Sequence, residues 1–163
     1  MYEHLLLPVD GSPGTDAAAD QAFEFARRYD ARLDVLYVVD SSVMPLDAHS
    51  QAIFQELENE GRRTLDEFVT AAEERGLDDV TGTILRGAPH QVILDYVSNN
   101  DVDLVVMGTH GRTGLEHFVL GSVTERVLRL SEAPVLTVPL AENAAGGESV
   151  GAEPESGDGD ESE

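Results

Sequence analysis

Apolar runs of strand length alternate with longer amphipathic segments from Met1 to Leu140. The apolar runs predict five β-strands: His4–Val9, Leu33–Val39, Val80–Leu85, Asp103–Met107 and Pro134–Val138. The segments between them have a helical period and predict helices over Thr15–Tyr29, Gln51–Arg75 and Pro89–Val97, with a fourth beginning at Gly121 and Ser122. Strands that alternate with helices indicate a parallel sheet covered on both faces, which is a three-layer α/β/α sandwich.

The helical period also predicts which side chains face the sheet. The inward positions are Ala18, Ala22, Phe25 and Ala26 in the first helix, Ile53, Leu57, Leu65, Phe68, Val69 and Ala72 in the second, and Val92, Ile93 and Tyr96 in the third. Gly76 is placed to end the second helix, and Pro89 suits the first turn of the third.

The charge balance excludes several kinds of chemistry. The chain carries 32 acidic residues against 10 basic ones, a formal net charge of −22, and every basic residue is an arginine. A P-loop and a Schiff-base enzyme both need a lysine, and nucleic-acid binding needs a basic surface. We interpret the acid excess as an adaptation to high salt, where the Debye length falls to about 3 Å at 1 M.

The absence of cysteine excludes disulfides, thiol catalysis and cysteine-ligated zinc. No run reaches the roughly 18 apolar residues of a membrane span, and the acidic start is not typical of a signal peptide. We therefore expect a cytoplasmic protein that contacts neither membrane nor nucleic acid. Residues 142–163 carry eight acids and no base, so we expect a disordered acidic tail after a single domain over residues 1–141.

Polar residues follow the predicted strands at their carboxyl ends. In an open parallel sheet these ends meet at one edge, and ligands bind there at the point where the strand order reverses. Asp10 follows the first strand and is a natural acceptor for a ribose hydroxyl, while Asp40 follows the second. The glycine fingerprint of dinucleotide folds is missing after the first strand.

Two glycine clusters flank a phosphate-sized space. Gly108 and Gly111 follow the fourth strand, and Gly121 with Ser122 opens the fourth helix after nine intervening residues. A strand, a glycine loop and a helix N-terminus form an anion site, because unpaired backbone N–H groups and the positive end of the helix dipole point at the ligand.

Three of these residues have a purely structural alternative. Ser122 and Glu125 have the spacing of a capping box, and Asp10 could cap the first helix or accept loop amides. His110 is more typical of a hydrogen-bonding spacer than of a general base. The remaining histidines show no metal-ligand spacing: His4, His49, His90 and His117.

The motifs at the strand ends resemble those of the universal stress protein family. The segments that carry this resemblance are Val9–Ser12, Tyr37–Asp40, Met107–Gly114, Leu120–Glu125 and Ala133–Val138. The resemblance extends from Met1 to about Leu140, and the Gly-x2-Gly-x9-Gly-Ser spacing is the mark of the family's ATP-binding branch. It implies a five-stranded parallel sheet of order 3-2-1-4-5, similar to the adenine nucleotide alpha hydrolase fold, and a homodimer through the last strand, residues 134–138.

The resemblance also implies roles for individual residues. Those that would line the ribose and phosphates are Gly108, Gly111, Gly121 and Ser122, with the backbone amide of Val123 and the nearby Thr124 beside them. Asp10 would lie on the ribose or adenine side, the backbone of Val38 would face adenine, and Met107 would lie near the ring. Arg112 would touch a phosphate or else the acids of the tail. Mg²⁺ or Mn²⁺ would arrive with the phosphates.

Three classes of function remain open. The first is a stress-response or regulatory protein that binds ATP or AMP without turning it over at a useful rate. The second is a slow ATPase or adenylating enzyme of a related fold, for which the loop after the first strand is only a distant match. The third is a nucleotide-free dimerisation module, which the intact glycine motif disfavours.

Overall fold

A computed structural model of the chain describes residues 1–42, 48–110 and 120–139. In chain order the elements are β1 (His4–Val9), α1 (Pro13–Tyr29), β2 (Arg32–Asp40), α2 (Ala48–Glu74), β3 (Val80–Gly87), α3 (Pro89–Asn99), β4 (Leu104–Gly108), α4 (Ser122–Leu130) and β5 (Val135–Val138). The predictions for Gly111, Arg112 and the acidic tail concern residues that lie outside these ranges. In the described part of the chain, no helix is long and apolar enough to cross a membrane.

The five strands form one sheet in the order β3-β2-β1-β4-β5, and every pairing in it is parallel. Helices α1 and α2 pack on one face around Leu5, Leu7 and Val35, while α3 and α4 pack on the other around Leu6 and Leu36. Successive side chains of a strand point to opposite faces, so the unbroken apolar run of β1 supplies both layers of the core. The predicted three-layer sandwich and its strand order are confirmed.

The first turns of α2 depart from the predicted inward face. Ile53 is 45% exposed, whereas its neighbour Phe54 is buried. The face is fixed by Gly61, where an added Cβ would lie 2.6 Å from the Tyr37 ring, so that helix and sheet are in closest contact there. Phe54 precedes Gly61 by seven residues, close to two full turns of about 3.6 residues, and Ile53 is rotated away by roughly 100°.

The aromatic residues of α1 also divide differently from the prediction. Phe23, which the periodicity did not select, is buried in the core, and Phe25 is only half-buried. Phe25 packs instead with Tyr2 and Tyr29, at ring centroid distances of 6.4 and 5.9 Å. This aromatic cluster covers the base of the sheet near the start of β1.

A buried carboxylate joins α3 to the sheet at the amino ends of the strands. Asp34 of β2 is fully buried, and Tyr96 of α3 donates a hydrogen bond of 2.7 Å to its Oδ2. Arg32 Nε donates to Asp34 Oδ1 at 2.9 Å, and His4 Nε2 lies 2.8 Å from Oδ2. Burial, followed by the hydrogen bond to Asp34, raises the pKa of Tyr96.

Candidate functional site

A cavity of about 420 Å³ opens at the carboxyl edge of the sheet, where β1, β2 and β4 end and α4 begins. This is the point at which the chain order of the strands reverses, on either side of β1. Eight of the ten residues proposed from the sequence line the cavity: Asp10, Val38, Met107, Gly108, Gly121, Ser122, Val123 and Thr124. The other two, Gly111 and Arg112, lie outside the described residues.

Apolar residues from both faces of the sheet line part of the cavity, and this part is called the apolar slot. Met107 and Ile93 are buried there, Pro89 lies beside Ile93 at the start of α3, and Leu57 comes from α2. A slot of this kind suits a flat ring system, because ligand cavities are lined mostly by apolar groups with a few placed polar ones.

The edge of β2 supplies backbone polar groups to the same slot. Pairing between β1 and β2 ends at Val9 and Tyr37, whereas β2 continues to Asp40 alongside β3. Arg32 N donates to Glu3 O, so by the alternation along a strand the N–H and C=O of the even-numbered residues face β1. By the same offset the Val38 N–H faces Val9 O at the end of β1, so the Val38 carbonyl is the backbone group that points past the last residue of β1.

The opposite wall is the start of α4, joined to the end of β4 by short hydrogen bonds. Gly121 N donates to Thr109 O at 2.7 Å, and Thr124 Oγ1 donates to Gly108 O at 2.8 Å. The first N–H to enter the helical pattern is that of Glu125, which donates to Gly121 O at 2.8 Å. The N–H groups of the first turn have no acceptor within the helix, and Ser122, Val123 and Thr124 all line the cavity.

The capping-box alternative for Ser122 is wrong. The N-cap is Gly121, no side chain in the described ranges caps the helix, and Ser122 is already the first helical residue. Glu125 accepts a hydrogen bond from Arg129 four residues later and so does not reach back to the N-cap. The Ser122 side chain therefore belongs to the cavity wall, not to the helix terminus.

Gly108 has a packing role in addition to its place in the cavity wall. A Cβ at Gly108 would lie 2.8 Å from the carbonyl oxygen of Gly14, and a Cβ at Gly14 would lie 2.7 Å from the carbonyl oxygen of His110. The backbones of α1 and of the segment leaving β4 thus touch directly. In the sequence, the one signal of this contact is that Gly14, a poor helix former, stands in the first turn of a helix.

Asp10 makes contacts within its own loop, as its structural alternative required, and also lines the cavity. Its Oδ1 accepts hydrogen bonds from Ser12 N and Thr15 Oγ1, both at 2.9 Å. Gly11 between them has φ +74°, a conformation that favours glycine and lets the chain fold back around the carboxylate.

The described lining of the cavity is acidic or neutral. Asp10 and Asp40 are its acids, and it contains no arginine. His110 Nδ1 lies 3.0 Å from Thr109 Oγ1, whereas its Nε2 is buried with no hydrogen-bond partner among the described residues. Across the described ranges, no group of histidines and carboxylates is arranged to hold a metal ion. Among the described residues, the groups available to an anion are therefore backbone amides.

This fold is an α/β sandwich with a cavity at the carboxyl ends of its strands, which is where open parallel sheets bind their ligands. A model of the universal stress protein family matches residues 1–139. The chain therefore belongs to the universal stress protein family.

Individual relatives agree with this assignment. The chain is similar to universal stress protein MJ0531 of Methanocaldococcus jannaschii, with 38% identity over 141 residues, 85% of this chain and 82% of that protein. The solved structure of protein MJ0577 superposes with a TM-score of 0.78 at 29% identity, covering 85% of this chain and 96% of that one. A universal stress protein solved in complex with cAMP has a TM-score of 0.69, covers 86% and 99%, and at 24% identity shows the shared fold.

Proposed function

We propose that the chain is a regulatory or stress-response protein that binds an adenine nucleotide, ATP or AMP, in the cavity at the carboxyl edge of the sheet. The observation that carries the proposal is the pairing of an apolar slot, edged by the Val38 backbone, with the open first turn of α4 across one cavity of about 420 Å³. A planar base fits the first feature and phosphates fit the second.

The parts of the nucleotide are assigned by the chemistry of each wall. Adenine offers an amino donor on its edge, which suits the carbonyl of Val38, with Met107 against the ring. The ribose lies beside Asp10. The phosphates lie at the N-terminus of α4, held by the amides of Ser122 and Val123, with Gly108, Gly111, Arg112 and Thr124 completing the enclosure. That a protein of this fold was solved with cAMP supports an adenine nucleotide.

A divalent cation, Mg²⁺ or Mn²⁺, accompanies a polyphosphate in this proposal. The described lining holds two aspartates and no arginine, so a bare triphosphate would meet net negative charge. The cation enters with the phosphates as part of the ligand.

Hydrolysis is slow or absent in this proposal. Efficient phosphoryl transfer needs several positive groups and a positioned base in place together, and the whole chain lacks lysine. The role of the bound nucleotide is then to stabilise one conformation or one assembly.

The proposed assembly is a homodimer through β5. The carbonyl oxygens of Pro134 and Val138 accept hydrogen bonds from Val105 of β4 and from Thr109 directly after it, so Val135 and Thr137 direct their backbone groups to the outer edge. Leu128 and Leu130 of the neighbouring α4 are 48% and 59% exposed. Within the described ranges no strand pairs with this edge of β5, and such an edge beside exposed leucines needs a cover, which a second copy of the same edge provides.

Calorimetric titration with ATP and Mg²⁺ in molar salt tests the proposal. A dissociation constant near 1 μM corresponds to about −8 kcal/mol. Gly121 has φ −56° and ψ 146°, a conformation open to any residue, so Gly121→Val acts through the space that its side chain takes from the phosphates. We expect it to abolish most of the binding, and Ser122→Ala to cost about 1 kcal/mol.

Ser98→Ala on the exposed surface of α3 is the matched control for Ser122→Ala. Identical titration curves for the wild type and Gly121→Val would show that the start of α4 does not contact the nucleotide. A turnover above about 1 s⁻¹ would establish an enzyme instead.

A further inference from the structure

The start of α1 uses its hydroxyl groups in an unusual way. Ser12 is the N-cap residue, yet its side chain makes no capping hydrogen bond to the helix. Its backbone N–H and the Thr15 hydroxyl both donate to Asp10 Oδ1. A serine at the N-cap ordinarily accepts a hydrogen bond from the first turn of its own helix. Here the polar groups donate to Asp10 instead, and the start of α1 has no capping bond from Ser12.

The hydrogen bonds of this cluster can be ordered by counting protons. Thr15 has one hydroxyl proton, and it is donated to Asp10 at 2.9 Å. The Ser12 hydroxyl, 3.3 Å from Thr15 Oγ1, must therefore be the donor in that contact. The result is a one-way chain from Ser12 to Thr15 to Asp10.

The two hydroxyl-bearing residues are shielded from water, whereas the carboxylate that they hold lies in the cavity wall. Ser12 and Thr15 are 6% and 5% exposed, and Asp10 is half-buried at the cavity. Two donors on one oxygen restrict rotation of the carboxyl group about its last bond. The orientation of Asp10 in the cavity thus depends in part on Thr15, which is not itself among the described lining residues.

We infer that Thr15 is a positioning residue whose hydroxyl holds the Asp10 carboxylate against one sugar hydroxyl, so that the site prefers a nucleotide that keeps this hydroxyl to the deoxy analogue that lacks it. This inference rests on the proposed nucleotide site. A carboxylate discriminates because a ribose hydroxyl donates to it and a hydrogen atom does not. A freely rotating carboxylate would discriminate less, since water would satisfy it when the hydroxyl is missing.

The test compares ATP with 2′-deoxy-ATP and 3′-deoxy-ATP by calorimetry on the full chain with Mg²⁺. The readout is the ratio of the dissociation constant of each deoxy analogue to that of ATP. A hydrogen bond to a charged group corresponds to a ratio of about 10 or more for the hydroxyl that Asp10 contacts. We expect the ratio to fall to about 3 or less in Thr15→Val and to stay near the wild-type value in Thr15→Ser.

The matched control is Thr124→Val, which removes a second buried hydroxyl of similar depth that donates to Gly108 O and not to Asp10. It is expected to leave the ratio unchanged, even where it weakens ATP and its analogues together. If Thr15→Val proves unable to fold, Ser12→Ala interrupts the same chain one step earlier and should lower the ratio by a smaller factor.

Each outcome decides the matter. Equal weakening of ATP and both analogues in Thr15→Val, with the ratio unchanged, would make Thr15 merely structural and overturn the inference. A wild-type protein that binds ATP and both deoxy analogues equally would also overturn it, while leaving the nucleotide site intact. A wild-type protein that binds none of the three would refute the proposed function itself.

Discussion

Replacing Asp34 with asparagine should destabilise the fold by about 3 kcal/mol, although the two side chains have nearly the same shape. Asp34 Oδ2 receives Tyr96 Oη at 2.7 Å and Arg32 Nη2 at 3.2 Å, and His4 Nε2 lies 2.8 Å away. Oδ1 receives Arg32 Nε at 2.9 Å. An asparagine keeps one oxygen, so its NH₂ group must face at least one of these donors.

The magnitude follows from the exposure of each partner. Arg32 is 44% exposed and can turn to water, so its loss costs about 1 kcal/mol or less. The bonds to Tyr96 and His4 persist in the best orientation but become neutral ones, about half as strong, which removes roughly 1 kcal/mol from each. The NH₂ group of the new asparagine would face the Arg32 guanidinium, which is also a donor, and this contact adds to the loss of folding free energy.

Urea unfolding followed by circular dichroism in molar salt measures this difference, and a change of about 3 kcal/mol should lower the thermal midpoint by roughly 6–12 °C. The matched control is Asp20→Asn, which breaks an ion pair with Arg75 between side chains that are 63% and 51% exposed. It should cost less than about 1 kcal/mol. Equal effects for the two variants would refute the view that Asp34 anchors α3 to the sheet.

Four further predictions concern the helix start, the buried tyrosine, the open edge and the charge. Gly14→Ala should cost about 1–3 kcal/mol and weaken nucleotide binding, because its Cβ would lie 2.7 Å from His110 O. The raised pKa of Tyr96 stabilises the fold below the unfolded-state pKa of about 10, and this stabilisation is lost as the pH rises through the folded-state value. The urea midpoint of the wild type should therefore fall at alkaline pH, and that of Tyr96→Phe should fall less. Val135→Pro should give a folded monomer in light scattering, since its N–H points away from β4. Dilution from molar salt to about 0.05 M should lower the unfolding midpoint, because a net charge of −22 repels itself when unscreened.

Each of these has its own control. Gly82→Ala, whose Cβ would approach no closer than 3.2 Å to a side-chain methyl group, should be milder than Gly14→Ala. Tyr29→Phe should keep the wild-type alkaline profile, and Leu136→Pro should damage the fold itself because its N–H faces β4. If Val135→Pro is still a dimer, the interface does not lie at β5. If the unfolding midpoint does not change with salt, the interpretation of the acid excess as an adaptation to high salt is refuted.

The elements and their order followed from the sequence because each strand is a compact apolar run between turn residues. The inner face of α2 did not, since Ile53 and Phe54 are equally apolar and only the close approach at Gly61 decides between them. The spacing of Ser122 and Glu125 matched a capping box, but helix α4 begins one residue earlier than that motif requires. Local spacing cannot reveal which residue is the N-cap when tertiary bonds from Thr109 and Gly108 fix the helix start.

The sequence predicted the site residues whose side chains mark them by type, but not the residue that acts through its backbone. Asp10 and the glycines could be chosen by residue type and position. Val38 came only from the family resemblance, because nothing in a valine side chain signals a polar contact. Its role depends on which way its backbone groups point, and that follows from the pairing register of β1 with β2.

The unequal lengths of β1 and β2 have a consequence for how this protein can change over generations. An edge made of peptide groups keeps its donor and acceptor pattern whatever side chain is attached, so position 38 is free to drift among apolar residues at little cost to the ligand. Access of a ligand to this edge depends instead on the position at which β1 ends, between Val9 and Gly11. Insertion of two residues that let β1 continue beside β2 would close the slot without altering any of the amino acids that line it.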